Sequence, residues 1–324
     1  MPLECTRTGM MVVAWIETAV HVTYPAADAL SVFLEGKNIK GIVLDTSQEN
    51  KSPSCFSLKH ETGSHKGEAS LLWVRFYVPD QTDMVALEQE IRFFLDRLEA
   101  EGVFCGPATM SEPRLVEEED WAHAWKRFYK PVEVGKRLLI KPVWEKVVDS
   151  GGRLVIEMDP GMAFGTGTHA TTRICLEALE DTVKRDHLVF DIGTGSGILS
   201  VAAVRLGAQS VWAVDVDPAA VTIAKENARI NQVEDRVFVL QGEIEELSGQ
   251  AEIIVANITA DVIEKIVPEV KKRLKPGGHF IASGIISDRR EKVEEALSRC
   301  GLAVTAYRRD GEWIGLVAAE EEKA

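Results

Sequence analysis

The stretch LVFDIGTGSGILS, residues 188–200, does most to limit what this chain can become. An apolar run ends on Asp191, glycines follow at 193, 195 and 197, and a helical pattern opens at Ile198. Strand, glycine turn and helix N-terminus form the repeating joint of an open α/β sheet, where ligands lie beyond the carboxyl ends of the strands. From Leu138 onward LLIKPVW, RLVIEM, LVFDIG, SVWAVDV, RVFVLQG, EIIVANI and HFIASGI alternate with helical segments, which predicts a doubly wound parallel sheet. The closing LAVTAYRRDGEWIGLVAAE places two strands around the Asp310-Gly311 turn, so the sheet should carry one antiparallel strand at its end.

The first third of the chain reads differently. A strand up to about Val22 precedes the short helix AADALSVFLEG, and IKGIVLD is a second strand. A polar segment over 46–70 reads as a long loop. LLWVRFYVPD alternates cleanly, and DMVALEQEIRFFLDRLEAEG is a helix with Asp83 as cap and Gly102 as stop. This order predicts a small α+β domain of the split βαβ, ferredoxin-like type over residues 1–112. Residues 113–135 read as a linker helix with Trp121, Trp125 and Phe128 on one packing face, and 136–324 as the α/β domain.

The loop chemistry narrows the ligand. The glycine spacing is GxGxG, with Ile198 where a dinucleotide loop carries its third glycine, and no lysine follows to grip a phosphate. Asp191, Asp215 and Asp217 would repel a pyrophosphate, while Asp215, at the end of SVWAVD, can accept both ribose hydroxyls. Asp217-Pro218 is a helix cap and first-turn pair. A nucleoside carrying a cation, S-adenosyl-L-methionine, fits this set. Upstream, DPGMAFGTGTHATT starts a further helix at Thr168 or His169, with Thr171 and Thr172 in its first turn. Thr171 serves either the ligand or its own backbone, and His169 is either a structural first-turn residue or a general base.

Four segments, EEDWAHAWKRFYKP, DPGMAFGTGTHATT, DIGTGSGILS with AVDVDP, and VANI, together resemble the ribosomal protein L11 methyltransferase family of class I S-adenosylmethionine-dependent enzymes. The resemblance spans Glu118–Ile258 and implies cofactor contacts by Thr172, Gly193, Asp215 and Asn257, with Gly195 in the same loop. Ala170 stands where many members have proline before the threonine pair. It also implies a basic protein substrate, ribosomal protein L11, read by the N-terminal domain. A related lysine methyltransferase with another protein target would share every cofactor residue.

At VANI, Asn257 is followed by Ile258, Thr259 and Ala260, with neither the proline pair nor the aromatic ring that would stack on a planar target. That favours an amine acceptor, a lysine side chain or an N-terminus, with Asn257 as the residue that places it. A dehydrogenase would need the third glycine, and a non-catalytic nucleoside-binding module would share the loop but transfer no methyl group. The net charge of −14 over 324 residues argues against a phosphate-backbone partner and suits a basic one. Five scattered cysteines without a CxxC pair argue against a metal site or disulfide framework and predict a reducing cytoplasm. No apolar run reaches membrane-spanning length, and MPLECTRTGM lacks a signal-peptide layout.

Overall fold

A computed structural model of the chain describes residues 15–37, 39–45, 71–100, 103, 105–116, 130–147, 149–159 and 169–320. The predicted loop over 46–70, residues 117–129 of the linker read as a helix over 113–135, residues 160–168 of the first glycine-rich segment, Gly102 and the tail over 321–324 lie outside the described residues, while the two ends of that linker are strands, Arg114–Val116 and Val132–Val134. The chain divides into two compact units, Met1–Tyr129 and Lys130–Ala324.

The first unit runs β1 (Trp15–Thr23), α1 (Tyr24–Gly36), β2 (Lys40–Asp45), β3 (Leu71–Pro79), α2 (Met84–Ala100), β4 (Thr109–Met110) and β5 (Arg114–Val116). Its antiparallel sheet has the order β2-β3-β1-β4, with β5 also paired to β1. This is the split βαβ arrangement expected from the sequence. Alternation along the strands sends Val20, Val22, Leu72, Val74, Phe76 and Val78 to one face, into a core shared with Leu30 and Leu34 of α1 and Leu87, Ile91, Leu95 and Leu98 of α2. Asp83 caps α2, accepting the amides of Val85 and Ala86 at 3.1 Å. Phe33 and Phe94 stack with ring centroids 4.4 Å apart, tying the two helices.

The second unit begins with β6 (Val132–Val134), β7 (Leu138–Pro142) and β8 (Leu154–Met158). The sequence pattern assigned LLIKP and LVIEM to the large sheet; instead they pair with each other and with β6 in a separate three-stranded sheet. A short apolar strand has the same local pattern whichever sheet it joins, and here Leu138, Ile140, Ile156 and Met158 are buried in the helix layer. The remaining elements are α3 (Ala170–Thr182), β9 (Leu188–Ile192), α4 (Ile198–Leu206), β10 (Ser210–Asp215), α5 (Pro218–Ile230), β11 (Val237–Gln241), β12 (Ala251–Asn257), α6 (Ala260–Arg273), β13 (Leu274–Ile286), α7 (Arg290–Arg299), β14 (Leu302–Asp310) and β15 (Trp313–Glu320).

The seven-stranded sheet has the order β11-β10-β9-β12-β13-β15-β14. β15 runs antiparallel to both neighbours, so the one reversed strand lies a place inside the edge and β14 forms the edge itself. The hairpin turn was legible from Asp310-Gly311, but not the insertion of its second strand beside β13. Alternate residues feed two cores: Val189, Val211, Ala213, Ile253 and Val255 meet α3, α4 and α5, while Phe190, Ile192, Val214, Ile254 and Ala256 meet α6 and α7. Strand order reverses between β9 and β12, and the loops leaving their carboxyl ends therefore open side by side. In doubly wound sheets that crevice is where ligands bind.

Candidate active site

The loop after β9 is shaped by three glycines in the left-handed region, with φ of 69° at Gly193, 53° at Gly195 and 79° at Gly197. Other residues adopt that conformation only at a cost. Close packing adds a second reason. A Cβ on Gly193 would run into Ile258 after β12, and one on Gly197 would lie 3.0 Å from the Cα of Ala224 on α5. The glycines thus let the β12 loop and α5 close on this turn. The amides of Gly193 and Thr194 both donate to the Val214 carbonyl at 2.9 and 3.0 Å, which pins the turn to β10.

Asp215, at the end of β10, is held by backbone from both sides. Its Oδ2 accepts the Gly195 amide at 2.8 Å and its Oδ1 the Asp217 amide at 3.0 Å. Each carboxylate oxygen has two acceptor positions, so a fixed acid of this kind can still take a pair of hydroxyls. Asp217 caps α5 through the Ala219 amide at 2.8 Å, as the sequence implied.

Asp191 is fully buried under the same loop. Its Oδ2 accepts the hydroxyls of Thr194 at 2.7 Å and Ser200 at 2.6 Å, whereas its buried Oδ1 has no partner among the described residues. Burial pushes its pKa up to about 6; the two hydroxyl bonds work against that shift, and the nearby Asp215 charge adds to it. Sequence reading noted Asp191 only as a flanking acid. Thr194 and Ser200, which lie inside the quoted motif, are its hydrogen-bond support.

On the other side of the crevice α3 begins at Ala170, with His169 as N-cap. His169 Nδ1 accepts the Thr171 amide at 3.3 Å and lies 2.8 Å from the Thr171 hydroxyl. The ring nitrogen is thereby engaged in capping α3. Thr171 is accordingly engaged with its own cap. Thr172 is fully buried, and its hydroxyl receives Asn257 Nδ2 at 3.4 Å across 85 residues of chain. That contact leaves Asn257 Oδ1 without a partner among the described residues. Ile258 then bonds back to the Ser283 carbonyl at 3.2 Å, fixing the turn that carries Asn257. The hairpin of β14 and β15 reaches the same helix start: Arg173 pairs with Asp310, and the Trp313 ring stands edge-on to His169 at 5.4 Å.

All five residues singled out from the sequence, Thr172, Gly193, Gly195, Asp215 and Asn257, therefore lie on the segments that meet at the switch point. Asn227 of α5 and Asn231, the C-cap residue just after it, do not stand out in the sequence. Both are buried on the helix face that also carries Ala220, Ala224 and Ala228, and their spacing of four on an otherwise small apolar face was the available signal.

The model of the ribosomal protein L11 methyltransferase family (PrmA) matches residues 14–321. A ribosomal protein L11 methyltransferase of Clostridium perfringens is 40% identical over 310 residues, covering 94% of this chain and 98% of its own length. That of Alkaliphilus oremlandii is 39% identical over 309 residues with the same coverage. The crystal structure of a ribosomal protein L11 methylase from Lactobacillus delbrueckii subsp. bulgaricus, 32% identical, superposes with a TM-score of 0.56 over 60% of this chain and 99% of that one. With a matched family model over nearly the whole chain and relatives about 40% identical along almost their full length, this protein belongs to the ribosomal protein L11 methyltransferase family.

Proposed function

We propose that the crevice between β9 and β12 binds S-adenosylmethionine and that the chain methylates amino groups of ribosomal protein L11, on lysine side chains, the N-terminus or both. The observation that carries this reading is the convergence of Thr172, Asp215 and Asn257 around the glycine turn, with a fixed carboxylate at one end and a partner-free amide oxygen at the other. The orphaned Oδ1 of Asp191 also suits a ligand that brings positive charge to the site.

S-adenosylmethionine, when bound, supplies a methyl group made electrophilic by its sulfonium. The protein's part is placement and desolvation. Asp215 would accept the ribose hydroxyls, Gly193 and Gly195 would allow close approach of backbone, and the first turn of α3 around Thr172 would face the carboxylate end. Asn257 Oδ1 accepts a hydrogen bond from the target amine and directs its lone pair toward the methyl group. A lysine of pKa near 10.4 is neutral in only about one molecule in 2,500 at pH 7, equivalent to about 4.6 kcal/mol. Enclosure beside a cation lowers that barrier by disfavouring the ammonium. Ile258-Thr259-Ala260 offers no ring to stack on a planar base.

In this reading residues 1–112 choose the protein substrate, 113–135 link, and 136–324 perform transfer in the cytoplasm. The acidic balance of residues 1–112, nine Lys and Arg against sixteen Asp and Glu, suits a basic target and gives nucleic acid no basic face. No helix among the described residues is long and apolar enough to cross a membrane. Incubation with methyl-labelled S-adenosylmethionine and purified ribosomal protein L11, followed by mass spectrometry, should place label on amino groups of that protein. Label on a different protein of a total extract, with none on L11, would favour the related lysine methyltransferase reading.

A further inference from the structure

The side chain of Asn227 bridges two segments of the second unit. Its Oδ1 accepts the Asp159 amide just beyond β8, at 3.1 Å, and its Nδ2 donates to the Ser196 carbonyl inside the glycine turn, at 2.8 Å. The carboxamide is buried, and one turn earlier Ala224 lies directly against Gly197. Asn231, one turn later, does a different task. It accepts the Glu157 amide at 2.9 Å and donates to the Glu157 carbonyl at 2.6 Å, completing the edge of β8 without touching the glycine turn. A buried amide that satisfies one donor and one acceptor on separate segments fixes their relative position, because losing either bond leaves a buried polar group unpaired.

We propose that Asn227 is a positioning residue for cofactor binding, holding the turn at Ser196 in register with the chain where it leaves β8 at Asp159. It touches no reacting atom. Its effect passes through the Gly193–Gly197 turn and so through Asp215, whose Oδ2 is bonded to Gly195.

The inference rests on the S-adenosylmethionine reading of the crevice, and a chemically discriminating variant tests it. Asn227→Asp keeps the acceptor for Asp159. As a carboxylate it cannot donate to Ser196; as a neutral acid it can, through its hydroxyl. Burial raises the pKa of such an acid, so the donor returns within the accessible range as pH falls. The charged groups around the position, Glu157 and Asp159 at β8, Asp191 beneath the turn and Arg205 of α4, are common to every variant. Calorimetric binding of S-adenosylhomocysteine by the full chain, expressed as the ratio to wild type at each pH, cancels their titration.

Asn227→Ala should bind about tenfold more weakly at all pH values. Asn227→Asp should be about as weak at pH 8 and recover to within about threefold of wild type at pH 5.5. Asn231→Asp, which puts the same new acid four residues along, should change thermal stability with pH but not the affinity ratio. A pH-independent ratio for Asn227→Asp, or equal recovery in Asn231→Asp, would overturn the assignment. Failure of the wild type to bind S-adenosylhomocysteine would instead defeat the underlying reading of the site.

Discussion

Two carboxylates on neighbouring strands are prepared for opposite tasks. Asp215 accepts two backbone amides, which fixes it as an acceptor for ligand hydroxyls. Asp215→Ala removes charge-assisted bonds worth about 1.5–3 kcal/mol, so S-adenosylmethionine affinity should fall about ten- to a hundredfold by calorimetry. An unchanged affinity in the folded variant would mean that this acid does not meet the cofactor. Asp191 is buried and pushed up to about 6 from an ordinary value of 3.8. The folded state holds that proton longer than the unfolded chain, so this residue's contribution to stability is present below about pH 4. It declines as pH rises to about 6 and is flat beyond. Asp191→Asn should abolish this decline, and thermal unfolding of both proteins from pH 4 to 8 should show their difference changing across that window. Parallel curves would count against it.

Between elements, tight backbone contacts decide how the two loops of the crevice meet. Gly284 on β13 has φ of 86°, and a Cβ there would strike the Ile258 carbonyl directly after Asn257. Gly151 has φ of 60° in open space. Alanine at either position bears a conformational penalty of about 1–3 kcal/mol, but only Gly284→Ala adds an overlap that displaces the Asn257 turn. Gly151→Ala should therefore lower the melting temperature with cofactor affinity intact, while Gly284→Ala should lower both. Equal affinity in the two variants would show that the Ile258 contact does not control the site. The capping of α5 by Asp217 was readable from local sequence, because a cap is defined within three residues, while the start of α3 stayed open between Thr168 and His169. The pairing of β6, β7 and β8 was not, because an apolar pentapeptide carries no mark of its partner.

The two compact units have separate cores, and every residue proposed to meet the cofactor lies in the second. A chain beginning at Glu117, which keeps the aromatic segment with Trp121 and Trp125, should bind S-adenosylmethionine about as tightly as the full protein. It should lose methylation of intact ribosomal protein L11, since a single lysine entering the pocket brings little binding energy of its own. Comparing transfer by the two proteins at equal cofactor occupancy checks this, and equal rates would leave residues 1–112 without a recognition role. Attraction between an acidic enzyme and a basic substrate should also weaken as salt rises, because exposed charges are screened beyond about 8 Å at physiological ionic strength.

Local sequence was sufficient for whatever depends on near neighbours. The strand and helix periods, the glycine turn, the acid ending β10 and the Asp83 and Asp217 caps all follow from spacing within a dozen positions. Asn257 too could be named, as the residue ending a strand of a recognisable sheet. Tertiary structure decided the rest. It set β15 inside the edge and removed β7 and β8 to a separate sheet with β6. It also gave Asn227 its partners, 68 residues upstream at Asp159 and 31 upstream at Ser196. A buried amide or an apolar strand carries the same local signal whatever it faces; its role is set by the groups that long-range packing brings against it, and those groups lie outside any short stretch of sequence.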